Sequence, residues 1–402
     1  MFNVEKVRED FPVLKKGVIY LDSAASSLTP KIVLDKMFEY YLEYRSNIER
    51  GLYEFSQRAS EEYENTRKTV ANFLGAKSPD EIVFTKNTTE AINIVAHSLS
   101  FKKGEKIVTT LLEHHSNLLP WIRCKERYGV KVELVKPNIQ GLFNLTDFEK
   151  AIDDNTKIVA LTHVSNVLGV ITPVKEVAEI AHEHGALILV DGAQSTPHMK
   201  IDVKSLGCDF FAFSGHKMCG PTGSGGLYIR EELMKTLDPL YVGGGTVELV
   251  EPETFKLKDD PSKFEAGTPP IAEVIGLKAA IEYLTSIGVE NIEEHEKILS
   301  KKIYEGLVET PRVEVYGPEP KFKLGVTSFN VSGFSPNDVA LVLDSTARIA
   351  VRSGMHCAHP LVRHILGKPQ GTVRVSTYLY NKVEEVEKFL SVIREISRSA
   401  GG

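Results

Sequence analysis

Seven short runs rich in Val, Ile and Phe punctuate the first two-thirds of the chain: EIVFT (81–85), KIVTT (106–110), VKVELV (130–135), KIVALTHV (157–164), ALILVD (186–191), DFFAFS (209–214) and GGLYIR (225–230). Most are apolar at consecutive positions, as expected of strands covered by helices on both faces of a mostly parallel sheet. Helical periodicities lie between them. The clearest puts Val174, Val177, Ala178 and Ala181 on one face, with Gly185 where a left-handed cap belongs. Strands alternating with helices predict a doubly wound α/β domain.

The pattern changes near residue 243. From Gly243 to Pro270 the chain carries four Gly and four Pro and no apolar period, which reads as a functional loop or a domain connection. A helix is then expected over about 271–285 and a strand within KLGVTSFNV (323–331). Ser335-Pro336 opens a further helix as N-cap and first helical residue. The runs IAVRS (349–353) and TVRVS (372–376) precede an amphipathic helix carrying Val383, Val386, Phe389, Leu390, Ile393 and Ile396. The expected organisation is a segment 1–20 packing with the small domain, a large domain 21–265 and a small α+β domain 266–402, with Ser-Ala-Gly-Gly fraying at the end.

Composition narrows the function. In 402 residues, Lys+Arg 48 against Asp+Glu 54 leaves a net charge of −6, which argues against a phosphate-neutralising nucleic-acid binder. No window approaches ~18 uninterrupted apolar residues, so no membrane span is expected. The charged N-terminus lacks the apolar core of an export signal. Four cysteines without a C-x-x-C pair are no disulfide framework. A cytoplasmic α/β enzyme or binding protein is the expectation.

Three features sit at the C-terminal ends of predicted strands, where open α/β sheets bind ligands. Asn87-Thr88-Thr89-Glu90 opens a helix over 88–98, either as a plain N-cap or as a phosphate site. Asp191 ends a buried strand and is either a turn residue or the partner of a cation or donor. Ser214-Gly215-His216-Lys217 leads into a glycine-rich loop, where Lys217 is either a surface lysine or a desolvated amine suited to carbonyl chemistry. Together they match the needs of pyridoxal phosphate: an amine for its aldehyde, an acid for its ring nitrogen and donors for its phosphate.

The motifs YLDSAASS (20–27), EHHSN (113–117), HVSNVLG (163–169), DGAQS (191–195), SGHK (214–217), EAGTP (265–269), RSGMHCAHP (352–360) and RVSTYLYN (374–381) resemble those of the cysteine desulfurases, nearly end to end and in order. The similarity is greatest to the SUF-type (group II) branch of the class V pyridoxal-phosphate enzymes. The resemblance implies a fold-type I homodimer with a large doubly wound domain that binds pyridoxal 5'-phosphate and a smaller C-terminal one. It implies that Lys217 binds the cofactor covalently and moves protons, that Asp191 meets the ring nitrogen and Gln194 the ring hydroxyl, and that His114 stacks on the ring. It further implies that Thr89, Ser214 and His216, with Thr88 nearby, hold the phosphate, that Thr268 completes this cradle from the neighbouring protomer, and that Asn166 and Arg374 fix the substrate carboxylate.

Cys357 carries the implied reaction. In isolation a cysteine in such an enzyme is as readily a packing residue. Within Arg-x-Gly-x-His-Cys-Ala-x-Pro it is expected to be the nucleophile, with Arg352 and His356 lowering its pKa, while Cys124, Cys208 and Cys219 are structural. The thiolate would take the sulfur of L-cysteine as a persulfide, release alanine and pass the sulfur to an acceptor or scaffold protein for iron–sulfur cluster assembly. The chain departs from the family at Glu49, where a His usually precedes Arg50-Gly51, at Met355, and in the segment HPLVRHILGKPQG after Ala358. Two other enzymes share the cofactor: a class V aminotransferase has no use for Cys357, and a selenocysteine lyase remains open as the alternative. A non-catalytic scaffold is disfavoured by the presence of Lys217, Asp191 and Cys357 together. A metal site is not expected, because the histidines lack ligand spacing.

Overall fold

The computed structural model describes residues 2–399; of the end expected to fray, 400–402 lie outside the described residues. The central sheet has seven strands: β1 Ile82–Thr85, β2 Lys106–Thr110, β3 Lys131–Val135, β4 Thr156–Thr162, β5 Leu187–Asp191, β6 Phe210–Ser214 and β7 Gly225–Ile229. Their spatial order is β1-β7-β6-β5-β4-β2-β3, and β7 alone runs antiparallel to its neighbours. Alternate side chains enter different cores, as the two-residue period of a strand requires. Ile188, Val190, Phe211 and Phe213 join one buried cluster, whereas Leu189, Phe210 and Ala212 join the other. The edge strand β3 is largely exposed, which explains its polar positions Lys131 and Glu133.

On the first face the helices α1 Lys31–Glu43 and α2 Glu54–Leu74 pack with a later helix, Ile271–Ile287. Val274, Leu277, Ile281 and Leu284 of that helix share a core with Val33, Val70 and Leu74. The boundary expected at 265/266 therefore precedes a helix that belongs to the large core. The stretch 243–270 is not structureless. It contains an antiparallel hairpin, Val247–Glu251 with Thr254–Leu257, most of whose residues are exposed, so it shows no burial period.

The C-terminal unit has a four-stranded antiparallel sheet, ordered Val313–Tyr316, Val326–Val331, Thr372–Ser376, Arg352–Gly354. Helices Val289–Val308 and Val383–Ser399 cover it through Leu299, Ile303, Phe389 and Ile393. Ser335 caps the helix Pro336–Ala347 by accepting from the Asp338 amide at 3.2 Å, as its sequence predicts. The run 349–353 divides in two, because Ile349–Ala350 pairs with Ile19–Tyr20 and only Arg352–Gly354 joins the sheet. Among the described residues no helix is long and apolar enough to cross a membrane, and no cluster of three His, Cys, Asp or Glu is arranged to hold a metal.

Candidate active site

The C-terminal ends of β1, β4, β5 and β6 open into one cleft. Thr88, Thr89, His114, Asn166, Asp191, Gln194, Ser214, His216, Lys217, Arg352 and Arg374 all line it. Eleven positions spread over nearly 290 residues of sequence thus meet where strand ends bring them together.

At one end lies the start of the helix Thr88–Ser98. Asn87 caps it by accepting from the Glu90 amide at 3.0 Å. The Thr88 amide donates to Ser214 Oγ at 2.9 Å, and the two hydroxyls lie 2.8 Å apart. Thr89 and Ser116 hydroxyls meet at 2.7 Å. Hydroxyls clustered at a helix N-terminus form a cradle for an anion.

Lys217 stands on the turn that follows β6, its amine facing the cleft. Burial pushes its ammonium down to about 8, against the pull of Asp191. Asp191 is buried at the end of β5; burial raises its carboxyl, while the Ala193 amide at 3.0 Å and the Lys217 charge oppose the rise. Burial, then Lys217, pushes His114 down to about 3, so it presents a neutral ring whose Nδ1 accepts from the Ser116 amide at 3.1 Å. His216 is also neutral, pushed down to about 4 by burial.

Gln194 donates from Nε2 to Ala24 O at 2.8 Å, leaving its buried Oε1 without a partner. Arg374 is completely buried. Its Nη1 donates to Asn166 O at 3.0 Å and its Nη2 to Asp22 Oδ1 at 2.8 Å, while Nε has no partner.

Cys357 is half-buried on the loop after Arg352–Gly354, with Arg352 Nη2 3.6 Å from its sulfur. The expected help from His356 is absent. That ring turns away onto Thr372, with Nε2 2.9 Å from Oγ1, and burial pushes it down to about 3, so it carries no charge toward the thiol. Both His356 and Cys357 adopt left-handed backbone, with φ of 51° and 55°. Asn166 Nδ2 donates to His356 O at 2.7 Å, so this side chain, expected on the substrate, also ties down the cysteine loop. The other cysteines are buried. Thr268 is outside the cleft within one chain. It lines a separate depression with Asn47, Arg50, Gly244 and Gly245. Beside it Glu49 pairs with Lys258 at 3.1 Å.

Two residues escaped the sequence reading. Asp22 lies inside a motif quoted above, yet only the fold puts it on Arg374. Glu113 is buried behind His114 and accepts from Thr110 Oγ1, Asn117 Nδ2 and the Thr162 amide at 2.6, 2.6 and 3.1 Å. An acid directly after an apolar strand was its sequence signal.

The residues present fit pyridoxal phosphate. A desolvated amine faces a buried carboxylate, hydroxyls gather at a helix start, and the unpartnered Gln194 Oε1 is an acceptor for a ring hydroxyl.

Comparison with known proteins agrees with this geometry. The aminotransferase class-V family matches residues 19–389. A probable cysteine desulfurase of Pyrococcus abyssi is 50% identical over 399 residues, covering 98% of each chain. A cysteine desulfurase of Haloferax volcanii is 41% identical, covering 97% of this chain and 96% of its own. Among solved structures, the apo cysteine desulfurase of Thermococcus onnurineus NA1 superposes with a TM-score of 0.95 at 51% identity, covering 98% of both chains. The Escherichia coli cysteine desulfurase CsdA, with an S-sulfonic acid, gives 0.92 at 34% identity and 99% coverage of both. This chain belongs to the aminotransferase class-V family, and within that family to the cysteine desulfurases.

Proposed function

We propose that this protein is a pyridoxal-phosphate-dependent cysteine desulfurase that converts L-cysteine to L-alanine and holds the sulfur as a persulfide on Cys357. The observation that carries the reading is a half-buried thiol beside Arg352 Nη2 at 3.6 Å, on the same arginine that lines the cleft of Lys217 and Asp191. When bound, pyridoxal phosphate supplies an aldehyde for amines and a ring that accepts electrons from the substrate carbon. Lys217 would hold that aldehyde, and its amine, pushed down to about 8 by burial, is suited to carry a proton to and from the substrate carbon. Asp191 would partner the ring nitrogen and keep it protonated, Gln194 would accept from the ring hydroxyl, and His114 would pack against the ring. Thr88, Thr89, Ser214 and His216 would hold its phosphate. Arg374, with Asn166 beside it, receives the substrate carboxylate.

Cys357 attacks the substrate sulfur as thiolate. The new S–S bond forms as the substrate C–S bond breaks, and the carbon fragment takes up a proton to leave as alanine. Arg352 supports the thiolate. A homodimer is part of this reading: Thr268 lies outside the cleft of its own chain, and Phe38, Leu42, Leu52 and Phe55 are exposed. Large apolar side chains of this kind mark contact surfaces. The onward acceptor is a protein of iron–sulfur cluster assembly in the cytoplasm.

The test is incubation of wild type and Cys357→Ala with L-cysteine and reductant, with alanine and sulfide quantified together. Equal amounts of both from wild type, and neither from the variant, are expected. Undiminished products from Cys357→Ala would overturn the role of the thiol and leave a thiol-independent lyase, to be tried with selenocysteine.

A further inference from the structure

The cysteine loop is held differently on its two sides. Before the sulfur, buried contacts fix it: Asn166 Nδ2 on His356 O at 2.7 Å, and the His356 ring on Thr372. After the sulfur, both backbone groups that flank residue 358 turn to one residue on another loop. The His115 amide donates to Cys357 O at 2.7 Å, and the His359 amide donates to His115 Nε2 at 3.2 Å. His359 Nδ1 lies 2.8 Å from the same Nε2, and the two rings stack at 4.7 Å between centroids.

Proton positions follow from this arrangement. A backbone amide can only donate, so His115 Nε2 is an acceptor and His359 Nδ1 carries the shared proton. His115 is half-buried and His359 is exposed, so the pair sits at the solvent side of the loop. The backbone it restrains needs restraint, since non-glycine residues leave the left-handed region unless their surroundings over-determine it.

We propose that His115 and His359 are positioning residues that clasp the carbonyl side of Cys357, holding its strained backbone so that the thiol stays beside Arg352 for sulfur capture. The proposal rests on Cys357 being the sulfur acceptor.

The test compares cofactor-loaded wild type, His359→Ala and His359→Gln. Gln keeps a donor that can reach His115 Nε2, whereas Ala does not. Amide hydrogen exchange is followed over 356–359 and at His115, alongside kcat and KM for alanine formation from L-cysteine. In His359→Ala, exchange at these amides is expected to accelerate roughly five- to tenfold, the factor that one net hydrogen bond is worth. The kcat falls several-fold with KM unchanged, and Gln restores both. Unchanged exchange in His359→Ala overturns the clasp. Faster exchange with unchanged kcat, or no rescue by Gln, overturns its positioning role. The Cys357→Ala control separates these results from failure of the underlying reading, since retained activity there removes the thiol itself and leaves the exchange result standing.

Discussion

The guanidinium of Arg374 meets the Asp22 carboxylate at 2.8 Å inside the cleft, with the arginine side chain 1% and the aspartate 22% exposed. One end of the chain thus neutralises the cation that the other end buries. Removing one partner of such a pair leaves an uncompensated charge, which costs more than the pair itself contributes. Asp22→Ala is expected to lower stability by about 3 kcal/mol, read as a drop in the urea midpoint, and to raise KM for cysteine because Arg374 loses its fixed orientation. An unchanged midpoint would show that Arg374 finds another partner.

Lys217 makes a prediction about pH. Burial disfavours the ammonium, so the free amine appears near pH 8 and not near the ordinary 10.5. Only the free amine attacks an aldehyde, so covalent capture of pyridoxal phosphate by the cofactor-free protein should accelerate as pH rises through about 8. Lys217→Ala should capture none. A midpoint near 10.5, or capture by the variant, would assign the reaction to another lysine.

Much of this site was legible in the chain because the chemistry sits at strand ends, and buried strands announce themselves as runs such as ALILVD and DFFAFS. Asp191 and Ser214 close those strands as expected. What sequence could not give is the direction a side chain takes. His356 was expected beside the thiol and lies on Thr372, because its left-handed backbone turns the ring inward. Asp22 lies 352 positions before Arg374, so only the fold makes its partner visible. The hairpin 247–257 stayed hidden because a largely exposed ribbon has no apolar face to repeat, and the packing of Ile271–Ile287 back onto α1 and α2 is a long-range contact that local periodicity does not carry.

Glu113 predicts a slope. Burial raises its carboxyl to about 8 in the folded protein, from an ordinary 4.5, with the Asp191 charge adding to the rise against three donors. The folded state therefore holds this proton more tightly than the unfolded chain. The carboxyl favours folding most below pH 4.5, loses that advantage as pH rises to about 8, and is a constant penalty above it. Glu113→Gln cannot ionise, so its stability relative to wild type should rise with pH across this window, by a few kcal/mol at most. The substitution also places an amide against donors, which shifts the whole curve without changing its slope. Parallel stability curves from pH 5 to 9 would mean that the donors hold Glu113 ionised throughout.

Two glycines with the same backbone separate conformation from contact. Gly169 and Gly185 have φ of 70° and 71°. At Gly185 an added Cβ would meet nothing within 4 Å. At Gly169 it would lie 2.4 Å from Leu324 O and 2.9 Å from Val326 O, both backbone atoms that cannot swing aside. Gly169 is three residues from Asn166 and accepts from the Leu324 amide at 3.0 Å, so it joins the Asn166 loop to the small domain. Gly185→Ala should cost about 1 kcal/mol, the left-handed penalty alone, and leave activity intact. Gly169→Ala carries the same penalty plus overpacking and should cost about 2–4 kcal/mol. It should also lower kcat, since relief of the clash moves Asn166 relative to both Arg374 and the His356 carbonyl it binds. Equal losses for the two variants would show that the loop yields freely and that the close approach at Leu324 does not position Asn166.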